Sequence, residues 1–264
     1  MIIDGKAVAE KLYEELAKER ELLSREIKLG ILVVGNNPVI ESFIRIKTRA
    51  ASRLNVEMVR VDMPESATTD EVVATVQRLA GETDAIIVQL PLPKSVDIER
   101  VLAAIPPEKD VDAINPTIPD DARIAYAPVA LAIAEILKQT GVDPKGKCVV
   151  VVGAGRLVGA PTAALLKRMG AVVSMFTLEE GSIEDLKDAD IIVSGAGNPG
   201  FIKPEQVKDG VVLIDAGASE MKGVIQGDVD PACAEKASVF TPVPGGVGPI
   251  AVAMIFKNLF SLIR

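Results

Sequence analysis

Short, almost wholly apolar runs recur along the chain, separated by stretches of helical periodicity. Lys28–Val34 (KLGILVV), Ala85–Gln89 (AIIVQ), Lys147–Val152, Ile191–Ser194 and Val211–Ile214 read as strands buried on both faces. Val56–Asp62 and Ala171–Phe176 add two more strands. Between them, Lys6–Arg25, Pro38–Arg53, Thr69–Ala80, Ala130–Thr140, Leu157–Met169 and Pro249–Leu262 carry the helical period, with a shorter helix at Ser182–Lys187. Thr68 or Thr69 is placed to cap the third of these helices. Such alternation predicts an α/β fold with parallel sheets and right-handed crossovers. The texture changes from Pro91 to Pro128, where seven prolines predict loops. Ala130–Thr140 then reads as a bridge to a second βαβ series.

Composition supports this picture. Hydrophobic residues make up 48% of the 264 positions, yet aromatics are only 3% and Trp is absent, so the core is aliphatic. The formal charge of −8 argues against general nucleic-acid binding, which needs a basic face. It leaves room for a local basic pocket. Cys148 and Cys233 make no disulfide or metal framework, which fits an intracellular, cytoplasmic protein. The apolar runs fall well short of the roughly 20 residues a spanning helix requires. The polar helix after Gly5 leaves no signal peptide, so no membrane partner is expected. Histidine is absent, which removes the usual neutral-pH acid/base and the commonest zinc ligand. Proton transfer then falls to Lys, a carboxylate, Tyr, Cys or water, and no metal is expected.

Two regions carry candidate chemistry. Val149–Gly159 (VVVGAGRLVGA) runs from a strand into a helix through Gly153, Ala154, Gly155, Arg156, Leu157 and Val158. The third glycine is at 159, one residue later than the strict dinucleotide fingerprint places it. Glycines in this context let backbone approach a pyrophosphate at a helix N-terminus. A tight strand-to-helix turn without a ligand has the same local signature. Thr177, Leu178, Glu179 and Glu180 follow the next strand, where a carboxylate can reach a ribose hydroxyl or simply face solvent. Ala196 and Gly197, in IVSGAGNP, and Asp215 and Gly217, in VLIDAG, end two further strands with small residues. Asp215 reads equally as a cap.

In the first half, Phe43 and Lys47 lie four apart and share one helix face near the carboxyl edge of the first sheet. A desolvated lysine is a competent acid/base, although spacing alone fits an exposed one. Gln89 ends a buried strand just before Leu90 and Pro91, and Asp110 and Asp112 stand on a Pro-flanked loop. Thr241–Pro249 (TPVPGGVGP), with Pro244, Gly245 and Gly246, is too glycine-rich for a routine loop.

Taken together, VQLPLP (Val88–Pro93), PEKDVD (Pro107–Asp112), VGAP (Val158–Pro161), IDAG (Ile214–Gly217), GDV (Gly227–Val229) and TPVPGGVGP resemble the bifunctional methylenetetrahydrofolate dehydrogenase/cyclohydrolases, nearly end to end. The resemblance implies two α/β domains with a cleft between them. Residues 1–125 with 250–264 would bind folate, and 126–249 would form a Rossmann-like dinucleotide domain. It implies NADP, or NAD, as cofactor, tetrahydrofolate derivatives as substrates and a homodimer. It also implies a place in one-carbon metabolism and purine biosynthesis. By position, Lys47 matches the catalytic lysine, Gln89 the glutamine beside it and Asp112 the carboxylate that grips the pterin. Phe43, Leu90, Pro91, Pro244, Gly245 and Gly246 fall at substrate positions. Gly153–Val158, Thr177, Leu178, Ala196, Gly197, Asp215 and Gly217 fall at cofactor positions. The chain departs from the family at Phe43 (Tyr), Ala127 and Ala251 (Thr), Ala154-Gly155 (Arg-Ser) and Leu178 (Ser). The loss of the Phe43 hydroxyl bears on the hydrolytic step. A monofunctional dehydrogenase on a folate or pterin, and a silent nucleotide-binding module, are the rival readings.

Overall fold

The computed structural model describes residues 1–177, 180–221 and 224–264. It divides into two compact units, Leu12–Pro128 with Ile255–Arg264, and Met1–Lys11 with Val129–Met254.

The Leu12–Pro128 unit is built on a parallel sheet. Helix α1 (Gly5–Glu21) leads to β1 (Lys28–Val34), α2 (Pro38–Arg53), β2 (Glu57–Met63), α3 (Thr69–Glu82) and β3 (Ala85–Val88), with strand order β2-β1-β3. Strand β1, apolar after Lys28, is central, and both its neighbours pair with it in parallel, Leu29 opposite Met58 and Ala85. Gly30 belongs there because a Cβ would lie 2.7 Å from Leu79 Cγ on α3. Helix α3 starts where Thr68 and Glu71 form a reciprocal capping box. At its other end the Lys109 ammonium donates to the carbonyls of Ala80 and Thr83, a cation on otherwise unpaired carbonyls. The Pro-rich stretch is not all loop. It holds a short helix, α4 (Ile98–Ala103), begun by the Asp97 carboxylate accepting from the Glu99 and Arg100 amides, with Val101 and Leu102 buried.

The Val129–Met254 unit follows α5 (Pro128–Gln139). Its elements are β4 (Cys148–Val152), α6 (Gly159–Arg168), β5 (Val172–Phe176), β6 (Ile191–Ser194), β7 (Val212–Asp215), β8 (Ser219–Met221), β9 (Val224–Gln226), β10 (Val239–Phe240) and the first half of α7 (Val247–Leu262), whose residues from Ile255 cluster with Leu12–Pro128. The parallel order is β10-β7-β6-β4-β5, while β8 and β9 pair antiparallel beside it. The β8, β9 and β10 strands have no counterpart in the periodicity, being only two or three residues long. The Ser182–Lys187 segment is a 3₁₀ turn, Ile183–Lys187, capped by Ser182.

Met1–Lys11 cluster with the Val129–Met254 unit. Ile3 N donates to Phe240 O at 2.8 Å and Phe240 N to Met1 O at 2.9 Å, so the leading residues pair beside β10. Gly5 N then donates to Gly245 O at 2.9 Å, and a Cβ on Gly5 would lie 1.7 Å from Gly246 O.

The displaced third glycine of the β4–α6 turn has a steric reason. A Cβ on Gly159 would sit 1.8 Å from Gly153 O, so any side chain there pushes the helix off the strand. Gly155 has open space around its Cβ position. Gly159→Ala should therefore destabilise the protein by about 2 kcal/mol or more. Gly155→Ala should stay within about 0.5 kcal/mol of the parent. Denaturant melts of both variants check this, and equal stabilities would refute the packing role.

Candidate active site

Helix α2, strand β3 and the loop after α4 bring three expected residues together in the Leu12–Pro128 unit. The Lys47 ammonium donates to Gln89 Oε1 at 2.8 Å. Gln89 is buried at the end of β3, and its amide nitrogen donates to Leu90 O at 2.9 Å. That second bond fixes which end of the amide faces the lysine. Lys47 is half-buried, and the loss of water around it lowers its pKa from the ordinary lysine value. The Asp112 carboxylate opposes that shift by favouring the charged amine. Asp112 is itself pushed up to about 6, by burial first, held back by Lys47 and raised further by Asp110. The folded state thus holds this proton more tightly than the unfolded chain, so ionising Asp112 costs stability as pH rises from about 4 to about 6.

Phe43 stands one turn before Lys47 on α2 and is 38% exposed. A ring left in solvent beside a desolvated lysine is a platform for a flat ligand. Pro91 is exposed next to Gln89, and Leu90 is half-buried. The Leu90–Pro91 and Val243–Pro244 peptides are cis.

The Val129–Met254 unit holds the other set. Ala154, Gly155 and Leu157 are exposed, and Gly153 has φ of +90°, with Gly195 O 2.9 Å from where its Cβ would lie. The loop feeds α6, whose N-terminus has no side-chain cap. Only glycine fits at 153, and the loop opens on the start of α6, where Ala160 N and Thr162 N already donate to Gly155 O and Val158 O. Ala196 and Gly197 are exposed at the end of β6. Thr177 closes a turn by accepting from Glu180 N at 3.0 Å, while Leu178 and Glu179 lie outside the described residues. Pro244, Gly245 and Gly246 sit in this same unit, with Pro244 exposed and Gly245 at φ of +106°.

Asp215 and Gly217 behave differently. Asp215 is 2% exposed, and its carboxylate accepts from the amides of Gly217 (2.9 Å), Asp228 (3.2 Å) and Val229 (2.9 Å). Burial pushes its pKa up to about 6 against those bonds. A Cβ on Gly217 would lie 2.3 Å from Asp228 Cγ. Both residues brace the loops around Asp228.

The family models divide the chain between residues 112 and 127. Residues 3–112 match the family model described as the catalytic domain of tetrahydrofolate dehydrogenase/cyclohydrolase, and residues 127–264 match its NAD(P)-binding domain. The chain belongs to the tetrahydrofolate dehydrogenase/cyclohydrolase family. It is 39% identical to the bifunctional protein FolD of Methanoculleus marisnigri over 98% of this chain and 95% of that one. With the Aquifex aeolicus FolD it shares 37% identity over 98% of this chain and 93% of that one. Among solved structures, the bifunctional FolD of Campylobacter jejuni superposes with a TM-score of 0.93 at 30% identity, covering 100% and 98% of the two chains. The Trypanosoma brucei FolD complexed with NADP and an inhibitor gives 0.93 at 33% identity, covering 100% and 97%. The bifunctional, dinucleotide-linked character of the family is therefore that of this chain, as the motifs implied. Among the described residues, no helix is long and apolar enough to cross a membrane.

Sequence reasoning missed several residues that hold these sites. Asp228 is fully buried and accepts from Ser194 Oγ (2.8 Å) and from the amides of Ala196 (2.7 Å), Gly197 (3.2 Å) and Asn198 (2.7 Å). Its motif, Gly227-Asp228-Val229, was visible, but nothing in it showed that the carboxylate folds the loop after β6. Asp110 is likewise buried, and its Oδ2 accepts from Asn115 N at 2.8 Å. Removing Asp228 would leave three amides and a hydroxyl seeking acceptors, each worth about 1–3 kcal/mol when orphaned. Asp228→Ala should thus lower unfolding free energy by about 3 kcal/mol or more. A urea melt checks it, and stability within about 0.5 kcal/mol of the parent would show that water replaces the carboxylate.

Proposed function

We propose that the Leu12–Pro128 unit binds 5,10-methylenetetrahydrofolate and that this chain oxidises it to the 5,10-methenyl form, then hydrolyses that cation to 10-formyltetrahydrofolate. The observation that carries the reading is the Lys47–Gln89–Asp112 constellation: a desolvated amine, a glutamine that orients it and a half-buried carboxylate. Asp112 accepts hydrogen bonds from pterin N–H groups, Phe43 stacks on the ring, and Leu90 and Pro91 line the edge. The substrate nitrogen's electron pair drives hydride from the methylene carbon, so the oxidation asks the protein for alignment and not for an acid or base. Hydrolysis adds water to the methenyl carbon, opens the ring and releases a proton. Lys47, in its neutral form, takes a proton from that water. A lowered amine pKa enlarges the neutral fraction at working pH. Gln89 keeps Lys47 aimed.

The residues present fit a dinucleotide. Gly153, Ala154 and Gly155 admit the pyrophosphate to the uncapped start of α6. When bound, the nicotinamide accepts the hydride. Thr177, Leu157, Val158, Ala196 and Gly197 would hold the dinucleotide, while Asp215 and Gly217 brace the loops around Asp228. Pro244, Gly245 and Gly246 offer small, rigid backbone to a ligand of their own unit. We infer NADP over NAD: Arg156 in the glycine loop supplies a bidentate phosphate partner, and the T. brucei relative is complexed with NADP. A cytoplasmic homodimer is the matching state. Among the described strands β5 is an edge with Val172 exposed on it, which supports pairing through this unit. The 10-formyl product suits a formyl donor for purine biosynthesis.

The test is an absorbance assay of methenyl-folate formation and decay with each nicotinamide cofactor. The parent should form and hydrolyse the methenyl cation, with kcat/KM higher for NADP than for NAD. Lys47→Met should slow hydrolysis by about 10²–10⁴-fold while its far-UV spectrum stays that of the parent. Hydrolysis at the parental rate in Lys47→Met would remove the lysine from the mechanism, and a parent that prefers NAD would overturn the cofactor choice.

A further inference from the structure

Asp112 stands on a turn closed by one main-chain bond, from Ala113 N to Asp110 O at 3.2 Å, and side chains supply further restraint. Ala113, the next residue, has φ of +53°, a left-handed conformation that an alanine adopts only under constraint. On its far side the constraint is visible. Arg123 donates to Ala113 O at 2.7 Å and to Asn115 O at 3.1 Å, and Asp110 accepts from Asn115 N. On the near side, the carbonyl of Val111 accepts a 2.7 Å hydrogen bond from Asn258 Nδ2. The same nitrogen donates to Tyr126 O at 2.7 Å. With two carbonyls facing it, only the amide nitrogen of Asn258 fits in that place, and both its hydrogens are used.

Asn258 lies on the last two turns of α7, among the buried Ile255, Phe256, Leu259 and Phe260, and is itself 5% exposed. An amide in such company is costly unless its donors are met. A leucine there would pack against these neighbours without that cost, so helix packing alone gives no reason for an amide. The reason lies in the two carbonyls it pins, one of them belonging to the peptide that enters Asp112.

We propose that Asn258 is a positioning residue for folate binding: by clamping the Val111 carbonyl it fixes the direction of the Asp112 carboxylate, without touching the substrate. The proposal rests on the reading of Asp112 as the pterin-binding carboxylate. If Asn258 acts through Asp112, its removal raises folate KM, leaves dinucleotide KM alone and has nothing further to remove once Asp112 is gone. A residue that only ties α7 to its neighbours would lower stability without that selectivity.

The experiment is a double-mutant cycle with Asn258→Leu, Asp112→Asn and the pair, with Asn258→Gln as the amide-retaining control. Steady-state KM is measured for 5,10-methylenetetrahydrofolate and for the dinucleotide, alongside thermal melts. Asn258→Leu should raise folate KM about tenfold, the loss of one or two hydrogen bonds. Dinucleotide KM should stay within about twofold, and the pair should show no more than the Asp112→Asn effect. Asn258→Gln, which keeps the donors on a longer arm, should recover part of the loss. Should Asn258→Leu not fold, the Gln variant alone reads the same split, with folate KM moving and dinucleotide KM steady. A folded Asn258→Leu with parental folate KM, beside a raised KM in Asp112→Asn, overturns this proposal alone. Full additivity in the pair does so too. An unchanged folate KM in Asp112→Asn overturns the role of Asp112 itself, and this proposal with it.

Discussion

The chemistry of this chain depends on one act of desolvation. An ammonium and a carboxylate are drawn out of water close enough for each to shift the other's proton. Burial pushes both groups toward neutrality and their mutual attraction pushes them back. The balance leaves Asp112 at about 6 and Lys47 below its ordinary value, so both change charge nearer to neutral pH than free side chains do. On the proposed reading, a chain with no histidine obtains by this route the proton chemistry that an imidazole usually supplies.

Such a pair survives only if the surrounding backbone is rigid, and in both units that rigidity comes from buried polar side chains that serve main-chain groups. Gln89 spends its nitrogen on Leu90 O so that its oxygen faces Lys47. Asp110, Arg123 and Asn258 hold the peptides around Asp112. Asp215 and Asp228 do the same for the loops after β6 and β7, with a mutual link from Asp228 N to Asp215 Oδ1. Loops with satisfied main chains keep their shape, and small residues such as Ala196 and Gly197 stay exposed on them.

Most of the scaffold was legible in the sequence. The buried strands β1 and β6 and helix α2 fall where the apolar runs and the Pro38 boundary put them, because long periodic segments carry their own signal. Helix α4 was hidden in a Pro-rich stretch, and β8 to β10 are too short to show a period. The pairing of Met1–Ile3 with β10 is a long-range contact that no local pattern encodes. In the site, Lys47 and Gln89 were visible through motif and helix spacing, although spacing alone favoured an exposed lysine. Asn258 and Asp228 were not, since a polar residue in an apolar helix or a carboxylate in a glycine turn reveals its partners only after folding. Even the odd spacing of Gly159 became intelligible only when its Cβ position was found against Gly153 O.

The central claim is that Lys47 is desolvated beside Asp112, and the direct test is its titration. Lysine side chains labelled with ¹³C at Cε are followed by NMR against pH, with Lys47→Arg identifying the Lys47 signal. The account predicts a Lys47 midpoint below the ordinary 10.5. Replacing Asp112 by Asn should move it lower still, because the carboxylate that favours the charged amine is gone. A Lys47 signal that titrates with the surface lysines, and does not respond to Asp112→Asn, would contradict the account.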